Sequence, residues 1–134
     1  MTEDEARQRF AEARVARLAT VDPTDSPHLV PICFAVDGST IYSAVDDKPK
    51  TTRDLKRLRN MDGNPKVTLL VDHYEDDWER VWWVRVDGTA HVVDEHEHAR
   101  RLLEHKYPQY RDGTAMLGRI VVVHAHKWRF WSYR

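Results

Sequence analysis

A single cysteine, Cys33, stands in a chain of 134 residues, so no internal disulfide staples the fold and its stability rests on an apolar core. No apolar run approaches membrane-spanning length, and none follows a basic start. The chain therefore reads as soluble and cytoplasmic, with no membrane partner. Glycine is scarce at five residues, and they form neither a dinucleotide fingerprint nor a Walker loop. An excess of one charge is also missing: 21 Lys and Arg face 22 Asp and Glu, for a formal net charge of −1. That balance counts against a dedicated nucleic-acid binder, whose domain would be strongly basic. No nucleophile motif occurs, since Cys33 has no base near it in sequence. The histidine pairs His96/His98 and His124/His126 lack a third ligand, so no metal site is expected. Any catalysis would draw its reactivity from a cofactor.

What the chain does have is aromatic surface. Five Trp, five Tyr and three Phe exceed what one small core needs, and such an excess signals a subunit interface or a flat ligand. The length fits one domain over residues 1–134. An opening helix is predicted over 2–14, with Thr2 and Glu5 as a capping box and Ala6, Phe10 and Ala13 as its apolar stripe. Strands follow over 15–21, 28–36 and 40–45. They are separated by the turn signals Asp22-Pro23-Thr24-Asp25-Ser26 and Asp37-Gly38. A helix over 53–61 turns Leu55, Leu58 and Met61 inward and stops at Asp62-Gly63-Asn64-Pro65. Strands over 66–74 and 81–93, a helix over 94–107 and a last strand over 119–133 complete the chain. Meandering strands with a few helices between them imply an antiparallel barrel, mainly β, with peripheral helices.

Three segments could carry chemistry. Between residues 48 and 66 seven basic side chains stand against Asp54 and Asp62. Lys56, Arg57 and Arg59 read as a solvated helix face. Lys48, Lys50, Thr51 and Thr52 instead approach a helix start, where free backbone N–H groups and the dipole make a cradle for phosphate. Pro31 lies inside an apolar strand and cannot donate a ladder hydrogen bond, so its strand is an edge or a bulge. Either a planar ring lies against that backbone, or the proline guards an edge from aggregation. In Trp82-Trp83-Val84-Arg85-Val86 the two indoles take opposite faces, with Arg85 on the side of Trp83. The run from Lys127 to Trp131 alternates in the same way, Trp128 and Phe130 sharing one face. His28, opening the second strand, is a candidate contact.

Several runs together resemble the split-barrel flavin-binding superfamily, whose best-known member is pyridoxamine 5′-phosphate oxidase. They are Arg17-Leu18-Ala19-Thr20-Val21, Ser26 to Phe34, Lys48-Pro49-Lys50, Asn64 to Leu70 and Val71-Asp72-His73-Tyr74. The nearest likeness is to small actinobacterial oxidoreductases that use the deazaflavin coenzyme F420. The resemblance implies a six-stranded split barrel and a homodimer with two cofactor sites at the interface. It implies that Val30, Pro31 and Ile32 line the ring, with His28 nearby, and that Ser43, Ala44, Lys48, Lys50 and Thr51 hold the phosphate and its tail. Trp78, Trp83 and Arg85 would come from the second subunit. The oxidase pattern Arg-x-x-x-Leu-Lys is absent, its place reading Leu29-Val30-Pro31-Ile32-Cys33-Phe34, which argues against oxidation of a vitamin B6 phosphate. The activity implied is hydride transfer between F420 and an unsaturated or conjugated small-molecule acceptor. FMN in the same fold, or a non-catalytic flavin or tetrapyrrole module, are the alternatives.

Overall fold

The computed structural model describes residues 1–46 and 56–134. Its strands are β1 (Ala16–Val21), β2 (Pro27–Ile32), β3 (Ala35–Asp37), β4 (Thr40–Asp46), β5 (Lys66–His73), β6 (Trp82–Val93) and β7 (Leu117–Ser132). The helices are α1 (Glu3–Glu12), α2 (Lys56–Gly63), α3 (Glu97–Lys106) and α4 (Pro108–Arg111), with a 3₁₀ turn at Trp78–Arg80. All described strands join one antiparallel sheet in the order β2-β1-β5-β6-β7-β4-β3. None of the described helices is long and apolar enough to cross a membrane.

The two edges of this sheet, β2 and β3, are neighbours in sequence, with only Cys33 and Phe34 between them. Laid flat, the seven strands would hold their edges about 29 Å apart at the usual strand spacing. Three Cα steps bridge only about 11 Å. The sheet must therefore curl far enough to bring the end of β2 and the start of β3 within about 11 Å of each other. The count of seven strands, against six expected, arises at this point, because the strand expected over 28–36 is cut in two.

Helices close what the curled sheet leaves open. Thr2 caps α1, its Oγ1 accepting the Glu5 N–H at 3.2 Å. Ala6 and Phe10 are fully buried, with Phe10 tilted against Phe34 at 5.1 Å and edge-on to Trp128 at 5.4 Å. Leu58 and Met61 of α2 turn into the same core, whereas Leu55 lies outside the described residues. The buried Asn60 amide donates to Thr20 Oγ1 at 3.0 Å, which satisfies two polar groups the core would otherwise strand. The expected helix over 94–107 is shorter, running from Glu97 to Lys106 before α4 begins. Ala99 and Leu103 of α3 cover the outer side of β4 and β7, packing with Tyr42, Ala44, Ile120 and Val122. β4 is thus buried on both sides.

The turns obey the residues that mark them. Asp22 accepts the Thr24 N–H at 2.8 Å, the Thr24 hydroxyl at 2.7 Å and the Ser26 N–H at 3.0 Å. The Thr24 hydroxyl first, then the backbone bond from Ser26, hold the Asp22 carboxyl at about 2. Gly38 takes φ 60 in the β3–β4 hairpin.

A bulge between Asp87 and Gly88 brings β7 unusually close to β6. A Cβ at Gly88 would lie 2.4 Å from the His124 carbonyl oxygen. Gly88→Ala is expected to destabilise the chain by about 1–3 kcal/mol through this backbone clash. A urea midpoint equal to wild type would show that the two strands can separate freely here.

Candidate functional site

The break between β2 and β3 is held by one phenol. The Tyr107 hydroxyl accepts the Phe34 N–H at 3.0 Å, and its own proton is shared between the Phe34 carbonyl at 3.0 Å and the Arg14 carbonyl at 2.9 Å. Phe34 therefore gives its backbone groups to a side chain instead of a ladder, and the strand ends. Burial pushes the Tyr107 hydroxyl up to about 12. Beside it, Lys106 donates to the Ala11 carbonyl at 2.9 Å and stands 3.9 Å over the Phe34 ring. Burial first, and then the Arg14 charge, bring its ammonium down to about 8. Ser43 donates to the Cys33 carbonyl at 2.7 Å, tying β4 to the same break.

This anchoring decides which way β2 faces. His28, Val30 and Ile32 are the more buried set, while Pro27, Leu29 and Pro31 are exposed. Cross-strand register carries the exposed set over the sheet. Pro31 lies opposite Arg17, Arg17 opposite Leu70, Leu70 opposite Arg85, and Arg85 opposite Arg129. One row further along, Asp72 pairs with Trp83 and Trp83 with Trp131. Residues directly opposite share a face, so these side chains form one continuous outer wall. The wall is open to solvent, with Leu29 66% and Trp131 42% exposed.

The wall is electrostatically unbalanced. Arg85 stands over the Trp83 ring at 5.7 Å, and none of Arg17, Arg85 and Arg129 makes an ion pair among the described residues. Arg85 and Arg129 face each other directly, a like-charge pair that costs stability until an anion or a complementary surface offsets it.

The predicted residues divide accordingly. Pro31, Trp83 and Arg85 come together on the wall. Val30 and Ile32 pack on the core side, so the three consecutive side chains cannot line one ring together; the period of a strand forbids it. His28 also turns to that side, and its buried Nδ1 has no partner among the described residues. Ser43 is spent on Cys33, and Ala44 packs beneath α3, so neither presents a side chain for phosphate. Trp78 sits on the 3₁₀ turn, 67% exposed and outside the row. Lys48, Lys50 and Thr51 lie outside the described residues. Trp82 fills the core side, flanked by Arg9 at 5.4 Å and His73 at 6.4 Å. Arg17 and Leu70 belong to the wall but were not candidates in the sequence reading, whereas Arg129 and Trp131 were placed on one face of the last strand without a partner across the sheet. Their alternation was visible, but the register that aligns them was not.

Residues 2–132 match the family model described as pyridoxamine 5′-phosphate oxidase. The chain belongs to this family. Solved structures share its fold. A conserved hypothetical protein of Mycobacterium tuberculosis is 24% identical, with a TM-score of 0.76 over 100% of this chain and 86% of its own. An FAD-binding protein of Mesorhizobium loti is 20% identical, with a TM-score of 0.72 over 97% of this chain and 92% of its own. HutZ, the heme storage protein of Vibrio cholerae, is 16% identical, with a TM-score of 0.73 over 97% and 93%. Among curated proteins, no relative matches. At these identities the likeness is one of fold, and the proteins that share the fold include an FAD-binding protein and a heme storage protein.

Two predictions come from this geometry. Tyr107→Phe strands the buried Phe34 N–H and is expected to cost about 1–3 kcal/mol. Because the folded hydroxyl titrates at about 12, above the ordinary value of 10, its contribution is complete below pH 10 and fades as pH climbs toward 12. Urea melts at neutral and strongly alkaline pH should show the gap between wild type and Tyr107→Phe narrowing; a constant gap contradicts it. Arg129→Glu converts the like-charge pair into an attractive one and should stabilise the isolated chain by roughly 0.2–1 kcal/mol. A loss of stability at low salt would mean that the pair is already compensated.

Proposed function

We propose that this chain is an F420-dependent reductase, holding the deazaflavin ring against the outer wall and closing the site with a second copy of itself. The observation that supports this most is the row Pro31–Arg17–Leu70–Arg85–Arg129. It offers an open, partly apolar surface with three guanidinium groups that lack carboxylate partners among the described residues. A planar anionic cofactor fits such a surface, and the strain between Arg85 and Arg129 favours an occupant of negative charge. When bound, the deazaflavin supplies the hydride that a conjugated acceptor receives. The chain's own part is placement. Pro31 keeps the β2 edge free of a competing N–H donor. Arg85, steadied over Trp83, orients the anionic side of the ring system. Lys48, Lys50 and Thr51 are assigned to the phosphate on sequence grounds. Trp83, Trp131 and Leu29 form the apolar part of the face that the second copy would cover, with Trp78 at its margin. FMN would use the same wall.

The likeness to an FAD-binding protein and to a heme storage protein supports a second reading, a non-catalytic module for a flavin or a tetrapyrrole. The readings separate in one series of measurements. Colourless purified protein, with tryptophan fluorescence quenched by added F420 and acceptor-dependent oxidation of the reduced coenzyme, is the expected result. Tightly held yellow flavin after purification would instead identify the FMN enzyme, and binding without turnover would identify the carrier. Arg85→Ala should weaken F420 by about 1.5–3 kcal/mol, the usual loss for a hydrogen bond to a charged group. A monomeric mass by light scattering would remove the second copy from the site.

A further inference from the structure

We propose that Lys106 is a covalent modification site, the amine through which this chain takes up a small acyl group from an activated carbonyl donor of the acyl phosphate class. It sits in the last turn of α3, where that helix meets the end of α1 and the break between β2 and β3. No residue of the wall takes part.

The surroundings set this amine apart from an ordinary surface lysine. Its Nζ stands 3.9 Å over the Phe34 ring and 5.3 Å over that of Tyr107. A second cation is fixed beside it. The Arg14 Nη1 donates to the Lys106 carbonyl at 2.6 Å, and the same guanidinium lies over the Tyr107 ring at 5.8 Å. No carboxylate among the described residues pairs with Lys106. The ammonium has therefore given up water, faces a like charge and lacks a counterion, and each condition favours the neutral, nucleophilic form. The Cys33 thiol acts in the opposite sense, but burial and then Arg14 prevail, so the group titrates at about 8. The side chain is half-buried and not sealed, which leaves a small donor a way in.

The fold also accommodates the product. Lys106 needs one N–H for the Ala11 carbonyl at 2.9 Å, and a secondary amide keeps one. Acylation then removes the charge opposed to Arg14. The neutral Nζ attacks the carbonyl carbon and a C–N bond forms. The C–O bond to phosphate breaks, inorganic phosphate leaves with the bonding pair, and the surplus amine proton passes to water.

The probe is acetyl phosphate, with uptake at each lysine of the full chain followed by peptide mass spectrometry. Lys66 and Lys127 are exposed and serve as internal references. At pH 8 Lys106 should be acetylated roughly fivefold faster than either, its larger neutral fraction outweighing its lower basicity. Its rate should level off once the pH passes about 8. In concentrated urea the preference should vanish, because it belongs to the folded surroundings and not to the local sequence. Chain acetylated at Lys106 should keep the circular dichroism of the untreated protein. Uptake at Lys106 no faster than at the references, a rate that keeps climbing well beyond that pH, a preference that survives urea, or unfolding on acetylation would each overturn the proposal.

Discussion

The hydroxyl of Tyr107 is the contact on which the rest of the molecule depends. A sheet whose two edge strands are separated by two residues has to roll up, and the chain can turn that corner only if the backbone at Phe34 is satisfied without a ladder. The phenol meets both demands, taking the Phe34 N–H and sharing its proton with the carbonyls of Phe34 and Arg14. It does so from the last turn of a helix that is itself anchored by Ala99 and Leu103. Lys106, one residue earlier, binds the end of α1 to the same place through the Ala11 carbonyl. Three distant parts of the chain thus meet at one strand break.

The consequence is a sheet with two unlike outer surfaces. Around β3 and β4, α3 covers the outside, and β4 becomes buried on both faces. Around β2, β1, β5 and the tryptophan end of β6 and β7, the outside is left open. The open part carries Arg17, Arg85, Arg129 and Lys127 against Asp72 and Asp87, so a chain of nearly zero net charge presents a locally basic wall. The balance of the whole says little about the field at one face. That is why the composition, which counted against a nucleic-acid binder, gave no hint of the arginine row.

Much of the local structure was readable because its causes are local. Thr2 caps the first helix, Asp22 closes its turn and Gly38 takes the positive φ that the hairpin needs. The alternation that placed Trp82 and Trp83 on opposite faces holds, with Trp82 against the core and Trp83 on the wall. The reading failed where a distant group intervened. The strand expected over 28–36 ends early because Tyr107, far along the chain, claims Phe34. Val30, Pro31 and Ile32 were grouped around one ring by resemblance, yet neighbours on a strand point opposite ways, and only Pro31 faces the open side. Ser43 was assigned to phosphate by resemblance, but its hydroxyl is engaged by the Cys33 carbonyl across the β3–β4 hairpin.

The sequence alone determined most of the helices and strands, the turns and the family membership. Period, capping and turn chemistry act over a few residues and leave a direct trace in the order of amino acids. The tertiary structure decided which side of each strand became surface and which cations stand side by side. Those outcomes depend on register and on closure of the sheet, and register is a relation between strands that neither strand encodes by itself.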